Sequence, residues 1–251
     1  MVAVAQQGFV YEVNATKALK KFGLIPAGFK PAGAGHDQPD LLMEYNGVQA
    51  GVELKITAAS AGSLVLKYDS TKKHPWGFGN IKADDKEKLF IKELADYVKL
   101  FSVIEKKWKN KPYKREPQDS RWQATAGKLT NQKRYERDLK MFKEISGEIP
   151  AQKIEEYYVK KKTYYVNVGT HGFFLMGTKN PFKLKGVPRF SEKANAKYRC
   201  RVQYKGGGNY QFTFEMSFSM KGKSPYNIAP LKSGSVNIVK KDMDLSCFEL
   251  L

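Results

Sequence analysis

The stretch that most constrains this chain is Pro39-Asp40-Leu41-Leu42-Met43-Glu44-Tyr45-Asn46-Gly47-Val48-Gln49-Ala50-Gly51-Val52-Glu53-Leu54-Lys55. An Asn-Gly pair between two apolar runs is the strongest short-range hairpin signal, because both residues tolerate the backbone of a tight primed turn. Side chains alternate along a strand, so Glu53 and Lys55 share one face while Val52, Leu54 and Ile56 take the other. The turn folds Asp40 back toward the polar face. Two carboxylates and an ammonium are therefore expected together. A hard dication such as Mg²⁺ takes oxygen ligands, usually one or two carboxylates, and keeps water and substrate phosphate in its other positions.

Upstream, Gly8 to Phe22 places Phe9, Val13, Leu19 and Phe22 near one face of a helix that Gly23 and Pro26 end, with Glu12 in its first turns. The helix with Glu12, the pair Pro39-Asp40, the spacer and Glu53-Leu54-Lys55 together resemble the PD-(D/E)xK, or restriction-endonuclease-like, nuclease superfamily. Gly8-Phe9-Val10-Tyr11-Glu12 is similar to the opening element of its junction-resolving branch. The resemblance covers about the first 110 residues.

It implies an α/β fold, a restriction-endonuclease-like core with a mixed β-sheet flanked by helices. It also implies a Mg²⁺-dependent DNA endonuclease that leaves 5′-phosphates, with Mn²⁺ as a substitute ion. Asp40 and Glu53 would hold the metal, Glu12 would support it directly or through water, and the carbonyl of Leu54 would add an oxygen. Lys55 would orient or help deprotonate the attacking water. Asp37 is the alternative to Asp40 if the loop register differs. His36, in a glycine-rich approach, would ligate the metal or contact the scissile phosphate, as some nucleases with this core use a histidine ligand, or is an ordinary loop residue. Cleavage could be site-specific, as in restriction or homing enzymes, or directed at junctions. The competing readings are a nucleic-acid-binding protein without catalysis and an RNase on the same core.

Charge points to a polyanionic partner. The net charge is +19 with a pI near 9.7, which creates a potential that attracts nucleic acid. Residues 1–60 hold five Lys against five acidic residues, so the whole excess lies downstream of the hairpin. A metal site in a neutral segment, with a basic surface elsewhere, suits an enzyme that must hold both a cation and a polyanion. Cys200 and Cys247 suggest no disulfide framework, and no apolar run is long enough for a signal or membrane segment. A cytoplasmic protein of a bacterial or phage-infected cell is expected, with DNA, double-stranded or branched, as its partner and no membrane. Many double-strand cutters with this core pair as homodimers, although no interface is legible.

Three stretches follow from these patterns: a nuclease core over 1–110, a basic helical insertion over 111–160, and a β-rich part over 161–251 that completes the core sheet and contacts DNA. Ser63 to Tyr68 reads as a third strand. Lys72-Lys73-His74-Pro75-Trp76-Gly77-Phe78 reads as an irregular basic loop, its aromatics stacking on bases or capping the core. A long helix follows Asp84 or Asp85, with Leu89, Leu94, Val98, Phe101 and Trp108 at helical spacing. Arg121, Lys133 and Arg134 belong to the most basic segment, whose second helix should run from Thr130 to Ile145; they either grip phosphates or form a solvated face. Strands are expected at Thr163–Val168, Phe173–Met176, Tyr198–Tyr204 and Tyr210–Met220. Arg199 and Arg201 share a face of the latter hairpin, which either enters a groove or uses charge as an edge pair against aggregation. His74 and His171 lack the paired spacing zinc needs.

Overall fold

The computed structural model describes residues 4–21, 23–26, 28–29, 39–56, 60–69, 71–79, 81–108, 128–206 and 209–228. In chain order, α1 (Val4–Lys21) precedes a hairpin of β1 (Leu41–Tyr45) and β2 (Val48–Lys55), followed by β3 (Ser60–Tyr68) and β4 (Trp76–Phe78). Then come α2 (Lys86–Tyr97), α3 (Leu100–Trp108), α4 (Lys128–Met141), β5 (Ile145–Ile149) and α5 (Ala151–Lys160). Strands β6 (Thr163–Val168) and β7 (Gly172–Leu175) flank a 3-10 turn, and short α6 (Phe190–Lys193) leads into β8 (Ala194–Gly206) and β9 (Asn209–Met220). The fold is α/β, with one four-stranded and one five-stranded sheet flanked by helices. No described helix is long and apolar enough to cross a membrane.

Contacts divide the chain into two compact units, Met1–Ala59 with Pro150–Ala196 and Phe218–Leu251, and Ser60–Ile149 with Lys197–Ser217. The units interleave along the chain, whereas the sequence reading drew contiguous stretches of 1–110, 111–160 and 161–251.

In the first unit, Asn46 and Gly47 have φ of 50° and 74°, the primed turn that this residue pair favours, and β1 and β2 pair antiparallel from Leu41 opposite Val52 to Tyr45 opposite Val48. β2 then pairs parallel with β6, Glu53 opposite Val166 and Lys55 opposite Val168, and β7 returns antiparallel to β6. The sheet is mixed, in the order β1-β2-β6-β7. Its third strand is thus β6. The stretch expected in that role, Ser63 to Tyr68, is strand β3 of the other sheet, since alternation identifies a strand without naming its neighbour.

Helix α1 covers one face of this sheet. Tyr11, Ala15 and Leu19, four residues apart, pack with Leu41, Met43, Ala50, Val52 and Leu54 of the hairpin and with Tyr165 and Phe173. The buried stripe therefore runs through Tyr11 and Ala15 rather than the expected Val13, which is half-buried. Buried Asn167 ties the layers together: its Nδ2 donates to the Tyr11 hydroxyl at 2.9 Å and its Oδ1 accepts from the Ile228 N–H at 3.3 Å.

The second unit carries the sheet ordered β4-β3-β9-β8-β5. Trp76 to Phe78, expected as irregular loop, is strand β4, antiparallel to β3. The expected long helix is two, α2 capped by the Asp85 carboxylate on the Lys88 N–H (3.0 Å) and α3, separated at Lys99, which adopts φ 52°. Their buried residues are Phe90, Ile91, Leu94 and Ala95, then Leu100, Ile104 and Trp108, while Leu89 lies exposed. Helix α4 ends at Met141, so Ile145 falls in β5, and Leu139 faces solvent. Strands β8 and β9 lie inside the sheet order, which overturns the edge-pair reading of that hairpin.

Candidate active site

Four elements of the first unit bring the site together. β1 begins with Leu41 opposite Val52, and just before it, where that ladder runs out, the Asp40 carboxylate accepts the Leu54 N–H at 2.8 Å through Oδ2. Glu53 and Lys55, two residues apart, point to the same face of β2 as the alternation requires. Lys55 Nζ donates to Glu53 Oε1 at 2.5 Å and lies 3.9 Å from Asp40 Oδ2. Glu12, half-buried on α1, is close enough to Asp40, Lys55 and Glu53 to feel the charge of each. The sequence-derived set Glu12, Asp40, Glu53 and Lys55 is thus one cluster.

The fold adds Tyr158 and Lys161, which sequence reasoning missed. Helix α5 buries Ile154, Tyr157 and Tyr158 and ends at Lys161, whose Nζ lies 3.6 Å from Glu53 Oε2. That distance exceeds a hydrogen bond, and Glu53 Oε2 is buried without a hydrogen-bond partner. Ile154, Tyr157 and Tyr158 at helical spacing after Pro150 signal the helix. The run Lys160-Lys161-Lys162 gives no such signal, because it reads as a solvated surface.

Electrostatics separate the carboxyls. Burial, and then Asp40, push Glu12 up to about 7. Burial, and then Glu53, push Asp40 up to about 6 against the pull of Lys55 and the Leu54 N–H. Burial also opposes charge on Glu53, but Lys55 and Lys161 more than offset it and hold that carboxyl below its usual range. Lys55 is held well above its usual value, Glu53 overcoming the cost of burial. Burial and then Glu53 keep the Tyr158 phenol well above its usual range.

The cluster therefore carries more carboxyl groups than its lysines neutralise, with one buried oxygen left without a hydrogen bond. Bringing a divalent cation to the pair would relieve both conditions. Among the described residues no group of three or more His, Cys, Asp or Glu side chains is placed to hold a metal ion, which leaves Asp40 and Glu53 as a pair. An open pair suits Mg²⁺, which keeps most of its water.

No protein-family model matches the chain, and no curated protein matches it. Among solved structures it is similar to the HhaI endonuclease in complex with DNA. The match covers 92% of this chain and 94% of that one, at 12% identity and a TM-score of 0.40.

The expected nucleic-acid contacts fare unevenly. Lys72 and Lys73 are exposed in the turn after β3, Lys72 lying 3.7 Å from Asp69. Trp76 is corrected to a core residue: it is buried against Tyr68, Trp108, Phe142 and Phe212, leaving no ring face for a base. Arg199 and Arg201 both turn onto Glu215, at 3.1 and 2.7 Å, because an acid buried on an interior strand needs compensating charge. Arg121, His36 and Asp37 lie outside the described residues; Lys133 and Arg134 belong to α4, but their side chains are likewise outside the description. His74 pairs with Glu105 and His171 with the Gly222 carbonyl, at 3.1 and 3.0 Å.

Proposed function

We propose that this chain is a Mg²⁺-dependent DNA endonuclease of the PD-(D/E)xK type, site-specific or junction-directed. The observation that carries the reading is the meeting of Asp40, Glu53 and Lys55 at one end of β2, with Glu12 brought in from α1. The basic balance of the rest of the chain suits a polyanionic substrate.

Asp40 and Glu53 would hold the ion, with Glu12 and the carbonyl of Leu54 as further oxygen donors. Bound there, Mg²⁺ would polarise the phosphate and lower the pKa of an attacking water, and Mn²⁺ would serve in its place. Lys55, kept an ammonium by Glu53, orients that water and offsets charge building on the pentavalent phosphorus. The Leu54 N–H fixes the Asp40 carboxylate, so that one ligand is oriented before any ion arrives.

The test is cleavage of supercoiled plasmid and of a synthetic four-way junction with Mg²⁺ and with EDTA. The expected result is metal-dependent cutting that Lys55→Ala lowers by at least ~10²-fold while DNA binding persists. The preferred substrate separates sequence reading from junction reading. Binding with no cutting of either DNA sinks the endonuclease, and cutting of RNA alone changes the polymer.

A further inference from the structure

Lys161 is placed with unusual care for a lysine in a run of three. Its backbone N–H donates to the Tyr157 carbonyl at 3.2 Å at the end of α5, and Lys162 follows with φ 58°, a left-handed conformation uncommon for a non-glycine residue. Thr163 then enters β6 opposite Gly51. A Cβ on Gly51 would come within 2.4 Å of the Lys162 carbonyl, so the absence of a side chain there lets the α5–β6 junction reach β2.

The outcome is a side chain only 12% exposed, its ammonium 5.4 and 5.6 Å from the ring centres of Tyr157 and Tyr158 and ion-paired at 3.6 Å with a Glu53 oxygen that is buried without a hydrogen bond. Withdrawing an ammonium from water for a contact at 3.6 Å is a poor exchange for stability alone. Glu53 is meanwhile addressed by one lysine on each oxygen, Lys55 on Oε1 and Lys161 on Oε2.

We infer that Lys161 is a positioning residue of the nuclease site, fixing the rotation of the Glu53 carboxylate and tempering its affinity for the metal. The inference rests on the endonuclease reading above. Two consequences of opposite sign follow. Removing the competing cation strengthens dication binding, while the freed carboxylate no longer holds the geometry needed for turnover.

The experiment compares full-length wild type with Lys161→Met and Lys161→Arg, measuring Mn²⁺ binding by calorimetry without DNA and cleavage at saturating Mn²⁺. Lys161→Met should bind Mn²⁺ several-fold to ~10-fold more tightly and yet cleave at least ~10-fold more slowly. Lys161→Arg should return both quantities toward wild type. A methionine variant with wild-type affinity and rate overturns the inference. So does one that loses binding and cleavage together with its melting transition, since Lys161 would then act only through the fold. Wild type that neither binds Mn²⁺ nor cleaves overturns the endonuclease reading and this inference with it, whereas an active wild type that Lys55→Ala silences leaves the Lys161 result to be judged alone.

Discussion

Glu12 and Asp40 are carboxyls that the folded chain keeps partly protonated near neutrality. Their ordinary values are 4.5 and 3.8; burial, with repulsion of Glu12 by Asp40 and of Asp40 by Glu53, carries them to about 7 and about 6. Between those limits the folded chain binds protons that the unfolded chain has released. The stabilisation they contribute is therefore full at acid pH and is lost as the pH rises through about 6 and then about 7. Glu53 works in the opposite sense, its contribution being lost as the pH falls. Metal-free protein should thus melt at lower temperature at pH 7.5 than at pH 5.5, and Mg²⁺ should reverse much of that difference. Mg²⁺ binding at pH 6.5, followed by calorimetry in buffers of different ionisation enthalpy, should release roughly one proton. Glu12→Gln should release less. No proton release in wild type would mean that both carboxyls are already ionised.

At the level of elements, the junction of β2 with α5 and β6 is the tightest constraint near the site. Gly51→Ala puts a methyl group 2.4 Å from the Lys162 carbonyl and 2.9 Å from the Pro39 ring. It should cost ~1–3 kcal/mol, read as a lowered melting temperature, and should also disturb cleavage because both neighbours lead directly to site residues. An unchanged melting temperature would show that β2 and the junction can part freely.

The same junction marks where sequence reading stops. The hairpin was legible because Asn46-Gly47 and strict alternation act locally, and β6 was legible as a strand from Thr163 to Val168. Their parallel pairing was not, since no local residue encodes a distant neighbour. The break between α2 and α3 was hidden because Lys99 takes a left-handed conformation with no glycine or proline to announce it. Trp76 was misleading for a related reason: flanking glycines and a proline suggested a loop, while tertiary packing made a short strand of it. Asp40, Glu53 and Lys55 could be read from the hairpin and Glu12 followed from the family resemblance, but Lys161 reaches Glu53 only through the packing of a separate helix.

For the molecule as a whole, the decisive arrangement is the interleaving of its two units. Residues 60–149 intervene between the hairpin and α5, and 197–217 leave the first unit again before 218 returns to it. A fragment of residues 1–149 retains Glu12, Asp40, Glu53 and Lys55 but lacks the strand that β2 pairs with on its second edge. It should show little hydrogen-exchange protection along β2 and no metal-dependent cleavage. Cleavage at the full-length rate would mean that α5 and β6 are dispensable. Pairing across so long a separation is also slow to form, because the chain must close a large loop before the contact stabilises it. On a ribosome, moreover, β6 does not exist until residue 168 has left the exit tunnel. Under the proposed reading, a chain released before residue 168 lacks β6 and should be unable to cleave, so activity would arise only late in synthesis.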